Sequence, residues 1–301
     1  MSTRYLIFKG LIFVTSLSMG ALTAPLWGAD DFFAFNPTEG KCLNAQGDEG
    51  LNRQKKPGVC ADFSNSKAGV IFRWRLKRTK NISGSVFKKA KLSNAKFRTT
   101  QMSYNNFEAA DLDRVRISAA SIDHARFDQA NFDSAMIEDT IIEVGTATKS
   151  KLFNLRITDT NIFDVQFDQC EARQLITNRV RFERVSFQEC ILENAQLLRT
   201  SFISSSLDKV QAKFANFTAS SIREVTFRGA DLSYANFENV QFVKSDFSGA
   251  ILHHANLKGA NLKDSILTEA ALSYAKFNDS TQLPFSKEEA ISNYNMSYEA
   301  Q

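Results

Sequence analysis

The sequence predicts an all-β solenoid, a four-sided coil of twenty residues repeated about ten times and closed by a cap at each end. Three observations carry this. Between Ala230 and Leu262 a bulky apolar residue returns every fifth position (Leu232, Phe237, Phe242, Phe247, Leu252, Leu257, Leu262), each preceded two residues earlier by a small one. The same phase runs without insertion from Ile82 to Phe277, which is forty pentads. Every fourth pentad gives Phe87, Phe107, Phe127, Ala147, Phe167, Phe187, Leu207, Phe227, Phe247 and Leu267, nearly a phenylalanine ladder.

A five-residue period fits neither regular structure. In an α-helix five residues advance about 500°, so the large residues would spiral round every side; in a strand an odd spacing flips them between faces. The chain must turn at each pentad. If each pentad is one side of a polygon, every large residue points inward and the coils stack about 4.8 Å apart, like neighbouring strands. Stepping by three pentads mixes residue types (Phe87, Met102, Ile117, Phe132, Ala147), so four sides fit better than three.

The repeated A(D/N)(L/F)xx unit, seen in Ala230-Asp231-Leu232, Ala235-Asn236-Phe237, Ala255-Asn256-Leu257 and Ala260-Asn261-Leu262, resembles the pentapeptide-repeat family. That resemblance implies a right-handed quadrilateral parallel β-helix with the central Leu or Phe and the small residue before it buried. It also brings the family's best-known activity, inhibition of DNA gyrase by an acidic rod that mimics DNA.

The repeat is not uniform. The central position lacks Leu, Ile, Phe or Met at Ala147, Ala172, Thr177 and Ala212, and the small position fails at Lys80, Asn105, Leu155 and Leu175. The departures cluster between Glu143 and Thr177, where a bulge, a bend, poor packing or a groove is expected.

In chain order, residues 1–29 carry Arg4 and Lys9 and then no charge from Gly10 to Ala29, the pattern of a secretory signal peptide, with an uncleaved anchor as the other reading. Either places the rest of the chain in a periplasmic or secreted setting. Residues 30–79 are out of phase and form an N-terminal cap, since a bare first coil would expose apolar side chains and unpaired backbone groups. Cys42 and Cys60 are expected to staple that cap as a disulfide in an oxidising compartment. Cys170 and Cys190, twenty residues apart at inward small positions, are expected to stack as two buried thiols. The repeats occupy 80–279. Residues 280–301 form a C-terminal cap, in which Ser286 and Glu289 open a short helix and Leu283, Phe285, Ile291 and Met296 cover the last coil or join two copies into a homodimer.

Nothing in the sequence has catalytic spacing. His124, His253 and His254 form no metal set, there is no phosphate loop or nucleophile elbow, and the Asp and Asn residues belong to the repeat. The expectation is a non-enzymatic protein with no cofactor and no bound metal. Charge is the informative variable. The whole chain is +4, but from Arg53 to Arg98 fourteen Lys and Arg face one acid, Asp62. Within that segment Arg73, Arg75, Lys77, Arg78, Lys80, Lys88 and Lys89 are the candidate anion-binding residues. The leading functional expectation is an exported scaffold whose basic end docks on an anionic envelope component and whose shaft meets an unknown protein, with no nucleic-acid partner. The alternative is a DNA-mimicking gyrase inhibitor or protector, which an exported chain of low net charge fits badly.

Overall fold

The structure is a computed structural model and describes residues 34–43, 59–66 and 80–300. The signal segment at residues 1–29 lies outside the described residues, as do Arg73, Arg75, Lys77, Arg78 and the Lys80 side chain.

The chain winds as a parallel β-solenoid whose coils are twenty residues apart. Residues pair with the residue one coil on throughout, as in Lys96 with Arg116, Ile142 with Ile162 and Asn236 with Asn256. Four faces can be named by their inward ladders, starting at Ile82, Phe87, Leu92 and Phe97. The first face carries a nine-stranded parallel sheet from Lys80–Asn81 to Gln241–Val243. The fourth carries a six-stranded sheet from Lys96–Arg98 to Gln196–Leu198. The second and third faces are narrower, joined coil to coil by single bridges such as Val86 with Asn106 and Lys91 with Asp111.

The corners explain the pentad. After nearly every central residue the backbone turns through a residue with positive φ, as at Lys89 (56°) and Tyr234 (61°), and a turn bond closes it, as from Ala90 N–H to the Phe87 carbonyl at 2.9 Å. A turn of this kind needs the left-handed region at its third residue, where glycine costs least. Most corners here instead hold Asn, Asp, Gln, Lys, Arg or an aromatic, and even Val144 adopts φ 47°.

All central residues from Ile82 to Phe277 are buried, and so is every small position from Ser85 to Ala275 except the half-buried Gly145. Inward rings stack coil on coil, with Phe87 on Phe107 at 4.7 Å and Phe227 on Phe247 at 4.8 Å between ring centroids. Burying each such ring is worth about 1.5–3 kcal/mol, so this column alone is a large share of the core. The N-terminal cap lengthens it. Phe63, outside the pentad phase, stacks on Phe87 at 5.1 Å, and Asp62 bridges to Val86.

The irregular coils do not bend or bulge. Pairing continues in register through strands Ser121–Arg126, Ile141–Thr146 and Asn161–Gln166, which are the longest in the molecule among the described residues. What changes is packing. Leu155 and Leu175 point inward and are buried at positions meant for small residues, near the undersized Ala147 and Ala172. Thr177 is buried with its hydroxyl 2.7 Å from that of Thr200. The exchange of large for small is incomplete at Ala147, where a cavity of about 30 Å³ remains instead of an open groove.

Two expectations are corrected. Cys170 and Cys190 are joined as a disulfide with Cα atoms 4.6 Å apart, because stacking on consecutive coils already brings them within bonding range. In the C-terminal cap Ile291 is exposed on the outer side of helix Lys287–Ser292, which turns Ala290 inward instead. Ser286 caps that helix, accepting from the Glu289 N–H at 3.1 Å. Met296 is buried, Leu283, Phe285, Tyr294 and Tyr298 pack on the core, and Ser297–Tyr298 adds a strand to Lys276–Phe277.

A candidate anion-binding face

Cys42 and Cys60 form a disulfide with Cα atoms 5.7 Å apart, tying the hairpin Ala34–Asn36 and Lys41–Leu43 to the start of the solenoid. The first full coil follows. Residues 85–99 contain Lys88, Lys89, Lys91, Lys96 and Arg98 and no acid. The coil beneath supplies carboxylates to two of its faces. Lys88 pairs with Glu108 at 3.0 Å on the second face, and Lys91 stands directly over Asp111 on the third.

The fourth face receives none. In the strands Lys96–Arg98 and Arg116–Ser118, Lys96 is in register with Arg116 and Arg98 with Ser118. All three cations are exposed, and among the described residues none of them makes an ion pair. Two more coils down the same column reads Met136 and Arg156, again exposed at Arg156. Like charges opposite one another across a ladder repel. Several arginines elsewhere are matched, Arg179 with Asp159 at 2.6 Å, Arg184 with Asp164 at 2.7 Å and Arg228 with Asp246 at 2.7 Å, while the exposed Arg156, Arg199 and Arg223 also make no ion pair among the described residues. The guanidinium of Arg179 holds the Asp159 carboxyl below its ordinary range, and Arg184 does the same for Asp164.

Of the residues singled out in the sequence, the structure therefore separates Lys88, which is paired, from Lys89, which is exposed at a corner. Lys96, Arg98 and Arg116 were not singled out. The two from the first coil lie in the counted basic segment, but Arg116 joins them only through the twenty-residue register.

A second outward feature is an aromatic column on the third-face corner. Phe214, Tyr234, His254 and Tyr274 stack at centroid separations of 5.0, 4.9 and 5.0 Å, all in the left-handed region and all exposed. Its signal is an aromatic recurring every twenty residues at an outward position, where the size rule that marks the core does not operate. The rings cover one another's faces and turn their edges to solvent. His124 stacks on Tyr104 and contacts Asp123 at 2.6 Å, and His253 stands beside His254 on the outer surface. No group of three or more metal-binding side chains is present among the described residues. A cleft of about 430 Å³ between the cap and the first face is lined by Pro37, Val59, Asn81, Ser83, Gln101, Ser103 and Ser121, none of them charged. No helix among the described residues is long and apolar enough to cross a membrane.

Comparison with known proteins adds the following. The family model described as a pentapeptide repeat region matches residues 180–257, and that described as pentapeptide repeats (8 copies) matches 81–118 and 245–281. Between 118 and 180 neither matches, and those coils hold the cavity and the exchanged core residues. No curated protein matches the chain. Among solved structures, HetL, a pentapeptide repeat protein involved in heterocyst differentiation regulation in the cyanobacterium Nostoc sp. strain PCC 7120, is 22% identical with TM-score 0.35, over 68% of this chain and 89% of its own. QnrB1, a plasmid-mediated fluoroquinolone resistance protein, is 9% identical with TM-score 0.41, over 68% of this chain and 92% of its own. A pentapeptide repeat protein of the Arabidopsis thaliana thylakoid lumen is 24% identical with TM-score 0.30, over 34% and 68%.

Proposed function

This chain belongs to the pentapeptide-repeat family, and on that premise we propose that it is a non-enzymatic, exported binding rod of the cell envelope. Its basic N-terminal end docks on an anionic lipid surface, and its shaft stays free to engage a partner protein. The observation that carries the reading is the fourth face of the first two coils, where Lys96 stands over Arg116 beside Arg98 without a carboxylate. A ladder of like charges is relieved when a polyanion lies across it, and an extended anionic surface meets all three cations together. Each Lys or Arg near such a surface contributes about 1 kcal/mol, so three contribute about 3 kcal/mol, roughly a hundredfold in binding. Export is supported by the charge pattern of residues 1–29 and by the cystine Cys42–Cys60.

The test is vesicle sedimentation with the mature protein, using anionic and neutral lipid across a salt series, beside the triple variant Lys96→Gln, Arg98→Gln, Arg116→Gln. Binding to anionic vesicles alone, weakened by salt and about a hundredfold weaker in the variant, is expected. Binding that ignores salt or survives the three substitutions removes this face as the docking surface. Cell fractionation checks export separately: mature protein confined to the cytoplasm would return the DNA-mimic reading.

A further inference from the structure

The inward phenylalanine column is broken once in its N-terminal half. Phe107 stacks on Phe127 at 4.9 Å and Phe167 on Phe187 at 4.9 Å, but Ala147 stands between Phe127 and Phe167. Those two rings are two coils apart, about 10 Å, and the alanine methyl fills little of the gap. The cavity left there, about 30 Å³, is lined entirely by apolar side chains, with Ile122, Ile142 and Ile162 on one flank and Phe132, Leu152 and Leu155 on the other.

We infer that this cavity is a dry binding site for a small uncharged apolar ligand, a single large atom or a diatomic gas of the size of xenon or dioxygen. A water placed there would need two to four polar partners, and the lining offers none. An apolar guest loses nothing by leaving water and gains dispersion contacts that the missing ring would have supplied. Size sets the upper limit. A site for a benzene ring takes about 150 Å³, several times what is present, so ring compounds are excluded. The site is a product of compensation. Leu155 reaches inward from a small position, and with Leu175 it restores part of the volume lost at Ala147 and Ala172, so the coils stay in register while the hole persists.

The probe is xenon. In crystals of the full chain under xenon pressure, one xenon atom between Phe127 and Phe167 is expected, absent in Ala147→Val, whose two added methyl groups occupy the space. In solution, dissolved dioxygen should broaden the methyl signals of Ile122, Ile142 and Ile162 more than those of Ile82 and Ile222, which lie elsewhere in the core. This second reading uses the unaltered protein and stands even if the variant folds poorly. Ordered water in the cavity, no xenon at the ladder break, or equal broadening of all five isoleucines overturns the site.

Discussion

A methyl group on Gly145 would lie 2.8 Å from the carbonyl oxygen of Ala125, its neighbour one coil back. Gly145 occupies a small position of the pentad, where alanine is the commonest residue elsewhere in the chain. Its φ is not in the left-handed region, so the requirement is proximity alone. Gly145→Ala should therefore destabilise the rod by about 1–3 kcal/mol, the ordinary cost of overpacking, although it restores the repeat pattern. Denaturant titration against the wild type measures it, and a neutral or stabilising result would show that the stack gives way there.

Inward and outward positions should differ sharply within one pentad. Ala235 and Phe237 are fully buried, and Phe237 stacks on Phe217 at 4.8 Å. Ala235→Leu should cost about 1–3 kcal/mol by overpacking, and Phe237→Ala about 3–5 kcal/mol by leaving a cavity. Glu238 lies outward, so Glu238→Gln should stay within about 0.5 kcal/mol. Unfolding midpoints that move equally for all three would contradict the inward ladders.

The C-terminal segment seals its own coil. Deleting residues 283–301 removes Ala290 and Met296 from the end of the core and the strand Ser297–Tyr298 from Lys276–Phe277. Apolar surface and a bare strand edge are then exposed together, so the shortened chain should aggregate. Light scattering decides: a soluble monomer would mean the segment is dispensable as a cover, and a change from dimer to monomer would mean it joins two copies.

Acid should loosen the stack between coils. Asp128 is partly buried, which by itself pushes its pKa up, but hydrogen bonds from the hydroxyls of Thr148 and Thr146 and from the Thr148 N–H outweigh that and hold it below the ordinary 3.8. Burial is likewise outweighed at Asp246 by the Ser248 hydroxyl, the Ser248 N–H and Arg228. A carboxylate with a depressed folded pKa stabilises the fold above its unfolded value, and that contribution disappears as pH falls through the folded one. Stability should hold level from about pH 7 to 5 and decline below about pH 4. Asp128→Asn should flatten part of that decline; an unchanged slope would mean Asp128 is not a staple.

Much of the rod was legible in the residues themselves. A bulky apolar side chain every fifth position and its recurrence in type every twentieth set the number of sides, the coil length and the buried columns, because each depends only on the size of one residue at one place. Ser286 and Glu289 announced the closing helix for the same local reason. What required the tertiary structure depends on pairs of residues on different coils. Lys88 finds Glu108 while Lys96 meets Arg116, Gly145 is pressed against the Ala125 carbonyl, Cys170 bonds to Cys190, and Leu155 only partly fills the space at Ala147. Such outcomes follow from side-chain reach and backbone separations of a few ångströms across the stack, which no single position in the repeat records.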